Sequence, residues 1–258
     1  MGYLDMFTLK GKVSVVTGAA QGIGKELCNA LSDAGSDIII ADIQLKLAKE
    51  VADEIAKKGV RTIAISCDIT SESDAQRVID ASVTEFGKID VLVNNAGICE
   101  HIDSQDASYG SWRKIVDVNL NGTFNMSQKA GRQMIKQNYG NIINISSMSG
   151  SIVNLPEGQS AYNASKAAVI HLTKSLAMEW VPFNVRVNTI APGFMRTEMT
   201  HAIFEENGEV AQKWMEFTPM RRPGTPKELG CAVIYLASDA SSYMTGAILT
   251  IDGGYTCW

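Results

Sequence analysis

The fold of this chain is decided by residues 13–24, which read VSVVTGAAQGIG. The run Val13–Thr17 is short and apolar, which is typical of a strand buried on both faces. A glycine-rich loop, Gly18–Gly24, follows at once, and apolar residues then recur at helical spacing until Gly35. The next strand, Asp37–Asp42, ends on a carboxylate. Together these features predict a βαβ unit.

The glycine loop has the spacing G-x-x-x-G-x-G, and its position suits a dinucleotide. Glycines let backbone amides approach a pyrophosphate, and the start of a helix favours its negative charge. The alternative is a tight strand-to-helix turn, but the carboxylate of Asp42 favours cofactor binding. A carboxylate there accepts hydrogen bonds from ribose hydroxyls and repels a 2′-phosphate. No arginine stands at positions 19–21, 43 or 44, although Lys46 is near, and we therefore predict NAD.

Strands and helices alternate along the rest of the chain. We predict strands at 61–67, 89–93, 141–145, 185–190 and 247–251, and helices at 44–58, 109–138, 158–180 and 226–237, with another ending at Gly87. About seven strands without a linker predict one doubly wound α/β domain, residues 1–258, with a parallel sheet. Between about 194 and 226 the periodicity is lost, and we interpret this segment as a substrate lid with short helices.

Composition excludes several classes of protein. The 45% of apolar residues can form a sizeable core, and 20% of charged residues is too few for a disordered chain. A net charge of −5 without a basic block argues against a nucleic-acid partner. The five scattered cysteines indicate a reducing compartment, and we expect no metal site at His101, His171 or His201. Without a signal peptide or an apolar run of roughly 20 residues, we expect a soluble cytoplasmic protein without a membrane partner.

Polar residues directly follow several of the predicted strands. Asp68, Asn94–Gly97 and Ser146–Gly150 all stand at strand carboxyl ends, where open α/β sheets bind ligands. Two alternatives stay open, because Asp68 can be a helix N-cap and Asn94–Gly97 a plain turn. Asn119 lies inside the predicted helix 109–138, where asparagine is a poor helix former. Such an asparagine often makes a local contact with water or backbone.

Tyr162 and Lys166 form the pair on which the predicted chemistry depends. They stand four residues apart, so on a helix they share one face. A nearby ammonium stabilises a phenolate, and it moves a phenol with a pKa of about 10 towards the range of an acid/base catalyst. Such a group can protonate a carbonyl oxygen or deprotonate an alcohol. The alternative is a tyrosine and a lysine on a solvated helix face.

Taken together, the motifs resemble the short-chain dehydrogenase/reductase family. They are Thr17-Gly18-x-x-x-Gly22-Ile23-Gly24, Asp68, Asn94-Asn95-Ala96-Gly97, Asn119, Ser147, Tyr162-x-x-x-Lys166 and Pro192-Gly193. They follow the order and approximate spacing of the family from about residue 9 to residue 254. The resemblance implies an oxidoreductase that interconverts a secondary alcohol and its ketone with a nicotinamide cofactor.

The resemblance also implies a role for each matching residue. Tyr162 would be the acid/base, and Lys166 would bind the nicotinamide ribose and bias Tyr162 towards phenolate, helped by the positive oxidised ring. Ser147 would orient the substrate oxygen, and Asn119 would hold a water in a proton relay. The implied cofactor contacts are Gly18, Gln21, Ile23 and Gly24 at the pyrophosphate, Asp42 at the ribose, Asp68 and Ile69 at the adenine, Asn95, Ala96 and Gly97 behind the cofactor, and Pro192, Met195 and Thr197 at the carboxamide.

The serine assignment departs from the usual spacing. Ser147 lies fifteen residues before Tyr162 rather than the family's thirteen, and Ser149 stands at the usual count. We choose Ser147 because Ser147–Gly150 fits the family's turn of a serine, two residues and a small residue. The extra length then falls in residues 151–158.

Residues 147–154 and the ending 252–258 resemble the polyol and sugar dehydrogenases of the family. A polyol needs several hydrogen-bonding groups, because an unpaired buried hydroxyl is costly. The predicted substrate contacts are Ser147, Ser149, Asn154 and Tyr162, with Glu157, Gln159 and His101 as further candidates unless the loop is an ordinary polar surface. Other readings stay open: a 3-oxoacyl-thioester reductase, an NADP-dependent carbonyl reductase, a dehydrogenase of a more apolar alcohol, or a cofactor-binding scaffold without catalysis. An acyl-carrier partner would need a basic patch, and the basic cluster is Arg221, Arg222 and Lys227.

The predicted helices 109–138 and 158–180 carry apolar residues on more than one face, which is typical of helices buried on both sides. The resemblance implies that they form a dimer interface within a homotetramer. Some relatives bind magnesium through the C-terminal carboxylate, here that of Trp258, but no feature of this sequence indicates it.

Overall fold

The centre of the protein is a seven-stranded parallel sheet with the strand order 3-2-1-4-5-6-7. The computed structural model describes residues 2–198, 200–205 and 208–257. The strands are β1 (Val13–Thr17), β2 (Asp37–Asp42), β3 (Thr62–Ser66), β4 (Val91–Asn94), β5 (Gly140–Ile145), β6 (Val185–Pro192) and β7 (Ile248–Ile251). The predicted α/β fold with seven parallel strands is confirmed, and the strands that were given bounds lie within two residues of them.

Helices cover both faces of the sheet. They are α1 (Gly22–Asp33), α2 (Leu45–Ala56), α3 (Glu72–Phe86), α4 (Tyr109–Val116), α5 (Thr123–Gln137), α6 (Ser160–Trp180), α7 (His201–Glu205), α8 (Glu209–Phe217) and α9 (Gly230–Ala237). Val16 of β1 packs in one buried cluster with α1, α2 and α9, whereas Val13 and Val15 pack in another with α3, α5 and α6. Successive side chains of a strand point to opposite faces, so one apolar strand serves both layers.

The helical stretch predicted over 109–138 is confirmed over residues 109–137, but it is not α-helical throughout. α4 and α5 are separated by a π-helical segment, Asp117–Gly122, which contains Asn119. The Asn119 side chain bonds to the backbone of Ile98. At Gly122 an added Cβ would lie 2.6 Å from Cδ1 of Ile69, so a side chain there has no room. Single π-turns inside α-helices frequently occur at functional sites.

The segment predicted as a lid contains two short helices, α7 and α8, while its residues 199, 206 and 207 lie outside the described part of the chain. Phe194 stacks on Trp214 of α8 with ring centroids 4.1 Å apart, and Phe204 meets the same indole edge-on at 5.7 Å. These rings give the segment its own small core. The helix predicted over 226–237 begins as a 3₁₀ turn, Pro226–Leu229, before α9.

None of the helices in the described ranges has the length and apolar character that a membrane span requires. Within the same ranges, no three His, Cys, Asp or Glu side chains come together as a metal site. Trp258, which was considered for magnesium, lies outside the described residues.

Candidate active site

The predicted site residues meet at one edge of the sheet. The glycine loop follows β1, Asn95–Gly97 follows β4, Ser146–Gly150 follows β5, and Gly193–Thr197 follows β6. Because all strands run parallel, these four loops emerge on the same side. The first two turns of α6 lie over them and bring Tyr162 and Lys166 to this edge.

Lys166 is buried and tied to the end of a strand. Its Nζ donates a 2.8 Å hydrogen bond to the carbonyl oxygen of Ile145, the last residue of β5. The same Nζ lies 5.6 Å from the ring centroid of Tyr162, so the two side chains share one face of α6 as the spacing predicts. This contact fixes α6 against the strand that leads into Ser147.

The pKa values of the pair differ from the sequence expectation. Burial raises the pKa of Tyr162 to about 12, although a hydrogen bond with Ser147 acts to lower it. Burial also lowers the pKa of Lys166 to about 8. The expectation that Lys166 lowers the pKa of Tyr162 is therefore not met by the protein's own groups, because desolvation dominates and the ammonium is bonded to a carbonyl. At neutral pH the phenol is held protonated, in the form that can donate a proton to a carbonyl oxygen.

Ser147 and Ser149 are both buried and bonded to each other. Ser147 Oγ donates to Ser149 Oγ at 3.0 Å and accepts from the Ser149 backbone amide at 3.1 Å. Ser147 also bonds to Tyr162, whereas Ser149 accepts at 3.4 Å from the side-chain amide of Gln159. The structure thus places Ser147 beside the phenol and Ser149 one hydrogen bond further away.

Asn119 positions the chain that follows β4. Its Oδ1 accepts from the amide of Ile98 at 2.8 Å, and its Nδ2 donates to the Ile98 carbonyl and to Ser165 Oγ. A Cβ added to Gly97 would lie 3.2 Å from Asn119 Oδ1 and 3.4 Å from Lys166 Nζ. The backbone of Gly97 therefore runs close to both side chains, and a larger residue would push them apart.

The glycine loop after β1 is held by close backbone contacts. Gly18 has φ +60°, and a Cβ there would lie 2.7 Å from Cα of Ala96. A Cβ on Gly24 would lie 2.2 Å from the carbonyl oxygen of Gly18 and 2.5 Å from Nδ2 of Asn95. Gln21 precedes the first turn of α1, and Ile23 packs against the core. A tight loop opening a helix fits the pyrophosphate of a dinucleotide.

Asp42 ends β2 with its carboxylate fixed by two backbone amides. Oδ2 accepts from Ala20 in the glycine loop at 3.0 Å, and Oδ1 accepts from Gln44 at 2.9 Å. Each carboxylate oxygen can accept a second hydrogen bond. The side chain is thus oriented beside the loop and can still receive ribose hydroxyls, while Lys46 is exposed.

Asp68 and Ile69 lie where β3 gives way to α3. Asp68 is exposed, and its Oδ1 accepts from the amide and hydroxyl of Thr70. The N-cap of α3 is Ser71, whose side chain accepts from Asp74, so the N-cap alternative for Asp68 is wrong. Asp68 and Thr70 line a groove of about 470 Å³ whose other wall comes from α4 and the π-helical segment.

The asparagines after β4 make more than a plain turn. Asn95 Nδ2 donates to the carbonyls of Thr17 and Gly18, and Asn94 Nδ2 donates to Ser127 Oγ and Asn144 Oδ1. These bonds join β1, β4, β5 and α5 beneath the site, and sequence reasoning missed Ser127, Asn144 and Thr173, which bonds to Asn144. The available signal was an asparagine within the apolar run of β5.

The residues after β6 lie next to the glycine loop. Pro192 ends the strand, Met195 is buried and pairs with Gly224, and the Thr197 amide donates to Thr200 Oγ1 at 3.0 Å. A Cβ on Gly22 would come within 3.9 Å of Cβ of Thr197. These residues thus approach the same loop that fits a pyrophosphate.

The loop between Ser151 and Gly158 covers the Ser147 side of the site. Asn154 is buried, whereas His101 is exposed. Gln159 accepts from Cys99 Sγ at 3.5 Å, and Glu157 accepts from the Trp214 indole at 3.1 Å. No motif in the sequence marks Cys99 as part of the site. Burial raises its pKa to about 11, and the charge of Lys166 opposes that rise.

The chain is similar in sequence to several known proteins. A family model described as Enoyl-(Acyl carrier protein) reductase matches residues 18–256. The chain is 41% identical over 259 residues to a galactitol 2-dehydrogenase (L-tagatose-forming) of Cereibacter sphaeroides, covering 100% of both chains. It is 43% identical over 259 residues to a probable NADP-dependent mannitol dehydrogenase of Yarrowia lipolytica, covering 98% of this chain and 91% of that one.

A solved structure shows the same likeness in three dimensions. A gluconate 5-dehydrogenase from Burkholderia cenocepacia, in complex with NADP and tartrate, superposes with a TM-score of 0.93. It is 33% identical, and the match covers 100% of both chains. The fold is therefore shared with a protein named as a gluconate 5-dehydrogenase.

Proposed function

The chain belongs to the short-chain dehydrogenase/reductase family, and from this membership we propose that it is an NAD-dependent oxidoreductase that interconverts a polyol and its ketose. The observation that carries the proposal is the arrangement of Ser147, Tyr162 and Lys166 beside a glycine loop that fits a dinucleotide. We choose polyols as the proposed substrate class because relatives more than 40% identical are named for galactitol and mannitol.

The residues of the site divide the chemistry among them. The bound nicotinamide supplies the hydride for reduction of the ketone and takes it up in the reverse reaction. Tyr162, held protonated by its raised pKa, gives its proton to the carbonyl oxygen, and Ser147 donates a hydrogen bond to the same oxygen. Lys166 holds a positive charge near the phenolate that remains. In alcohol oxidation the same proton returns to Tyr162.

The choice of NAD rests on Asp42. Its carboxylate is buried, oriented by two amides and placed beside the glycine loop, where it suits two ribose hydroxyls and repels a 2′-phosphate. Assays at 340 nm with C4–C6 polyols and ketoses, each with NAD and NADP, test both parts of the proposal. We expect turnover with polyols and a higher kcat/KM with NAD. A preference for NADP in the wild type contradicts the cofactor proposal, and absence of polyol turnover contradicts the substrate proposal.

A 3-oxoacyl-thioester reductase is the second candidate, since the matching family model carries an acyl-carrier name. A carrier protein is acidic and needs free basic residues at the mouth of the site. Here Arg222 is bonded to both carboxylate oxygens of Glu228, and Arg221 donates to the backbone carbonyl of Glu216. The charge available to a carrier is therefore reduced, and the panel of polyols should outperform an acetoacetyl thioester.

We also propose a homotetramer, or a dimer, assembled through α4, α5 and α6. Large apolar side chains on these helices are exposed in the single chain, namely Tyr109, Trp112, Phe124 and Met178. A monomeric sedimentation profile at micromolar concentration contradicts this assembly. The five free cysteines support a cytoplasmic location, which cell fractionation tests.

A further inference from the structure

The loop of residues 151–158, here called the substrate loop, carries two hydrogen-bond acceptors and leads into Gln159, whose side chain bonds to Ser149. Asn154 is 4% exposed, and its Oδ1 has no hydrogen-bond partner among the described residues. Glu157 accepts from Trp214 Nε1 through Oε2, while its Oε1 accepts no hydrogen bond from the described part of the chain. Asn154 is buried, so its oxygen is costly without a donor and indicates that a ligand or water supplies one, whereas Glu157 is half-buried.

Hydrogen bonds through Cys99 and Gln159 connect the end of the substrate loop to Ser149. The Cys99 thiol donates to Gln159, whose amide in turn bonds to Ser149. The positive charge of Lys166 lowers the pKa of this thiol, whereas the charge of Glu157 raises it. Both charges act on this thiol, and Gln159, two positions after Glu157, is bonded to Ser149, so the end of the substrate loop lies beside the serines of the site.

Glu157 is held in place by Trp214, which belongs to the segment 194–226 that we interpret as a lid. The Trp214 indole that bonds to it is buried and stacked on Phe194. The hydroxyl of Tyr255 bonds to the backbone of Leu155 in the same loop. The nearby cation Lys213 is bonded to Glu209 at 2.8 Å and is partly exposed, so it compensates the charge of Glu157 only weakly.

We propose that Glu157, with Asn154, selects uncharged polyhydroxy substrates and excludes sugar acids. The inference rests on the proposed function and defines its substrate class more closely. The hydroxyls of a polyol can donate one hydrogen bond to each acceptor, whereas an ionised carboxylate is an acceptor only and is repelled by Glu157. The distinction is relevant because this chain resembles both a galactitol 2-dehydrogenase and a gluconate 5-dehydrogenase.

The test compares Glu157→Gln with wild type on galactitol and on D-gluconate. Glutamine keeps an acceptor for the Trp214 indole but removes the charge. We expect the ratio of kcat/KM for gluconate to that for galactitol to rise at least about tenfold, since like-charge repulsion is removed. High salt should raise the same ratio in the wild type and leave it unchanged in the variant.

Glu216→Gln is the matched control, because it removes one negative charge from the exposed end of α8 without touching the substrate loop. The ratio should stay at the wild-type value. A similar rise in Glu216→Gln shows that only net charge matters and overturns the assignment to Glu157. An unchanged ratio in Glu157→Gln does the same.

Binding separates this proposal from the proposed function. Wild type saturated with NADH is titrated calorimetrically with D-gluconate and with D-gluconamide, its uncharged counterpart. We expect the amide to bind and the acid to bind at least about tenfold more weakly. Equal binding overturns the charge selection even if galactitol is turned over, whereas selective binding of the amide without any polyol turnover contradicts the proposed function alone.

Discussion

We call the side of the central sheet where its strands begin the amino edge, and the side where they end the carboxyl edge. Buried polar groups differ between these two edges in how many hydrogen-bond partners they have. At the amino edge, Asp90 accepts from the Val13 amide at 2.8 Å and from Lys88 Nζ at 3.0 Å, with Lys12 Nζ at 4.0 Å. At the carboxyl edge, Asn94 and Asn154 each carry a buried oxygen without a partner among the described residues. Lys166 at the same edge has a single carbonyl partner.

This difference indicates that the number of hydrogen-bond partners, rather than burial alone, distinguishes polar groups that stabilise the fold from polar groups that serve the reaction. A fully bonded buried carboxylate stabilises the fold, and removing it leaves its partners unsatisfied. An incompletely bonded group costs stability and persists where it serves a ligand or a reaction. Substitutions at the two edges should therefore affect stability and turnover in opposite proportions.

The largest expected effect is on turnover at the carboxyl edge. Tyr162→Phe removes the hydroxyl that exchanges the proton, and we expect kcat to fall by about 10²- to 10⁴-fold. The unfolding free energy should change by less than about 1 kcal/mol, because the lost hydroxyl is desolvated and its hydrogen bond is with Ser147, a neutral group. Steady-state kinetics and urea unfolding measure the two quantities.

The amino edge offers a matched control for that substitution. Tyr139 also lies beside a lysine, with Lys12 Nζ 3.8 Å from its ring centroid, and its hydroxyl accepts from Asn141. Tyr139→Phe should leave kcat at the wild-type value. Equal losses of turnover in both variants would contradict the distinction between the edges.

The second effect concerns the pH dependence of stability. Folded Lys166 has a pKa near 8 instead of the ordinary 10.5, so the unfolded chain binds more protons between these pH values. Stability contributed by this residue therefore rises with pH across the window, by up to about 3 kcal/mol. In Lys166→Met this rise should be absent. Urea unfolding of wild type and variant at pH 7 and pH 10.5 measures this rise. If the difference in unfolding free energy between the two proteins is the same at both pH values, the lysine is not a charged group in a desolvated site.

The third effect is on stability at the amino edge. Asp90→Ala leaves the Val13 amide and two lysines without their acceptor, and we expect the unfolding free energy to fall by about 2 kcal/mol. The value is below that of a fully buried pair because Lys12 and Lys88 are partly exposed. The kcat/KM of the folded variant should equal that of the wild type. A loss of turnover without a loss of stability would reverse the interpretation of this edge.

Much of the cofactor side could be predicted from the sequence because it depends on local backbone geometry. The spacing of Gly18, Gly22 and Gly24 after an apolar strand requires a tight loop. Asp42 is the last residue of the next apolar run, so its place at a strand end can be predicted without knowing how the intervening helix packs. The close contacts of Gly18 and Gly24 fit that loop. Periodicity also predicted the seven strands, since buried parallel strands are continuous apolar runs.

The substrate side was less predictable because its contacts join distant residues. Gly122 of the π-helical segment packs closely on Ile69, 53 positions earlier in the chain, and the bond between Glu157 and Trp214 spans 57 positions. The effect of burial on the pKa of Tyr162 could not be predicted, because the spacing of a motif gives proximity but not the extent of desolvation. Neither burial nor long-range pairing has a short sequence signature.

The smallest effect sharpens the comparison, because it concerns a fully bonded residue at the carboxyl edge. Ser71 caps α3 beside Asp68, and its Oγ accepts from the Asp74 amide at 3.2 Å. Ser71→Ala should lower the unfolding free energy by about 1 kcal/mol, which is typical of a lost N-cap. If partners rather than position decide function, kcat/KM and the affinity for NAD should stay at wild-type values. A marked loss of NAD affinity at full stability would show instead that position at this edge is what matters.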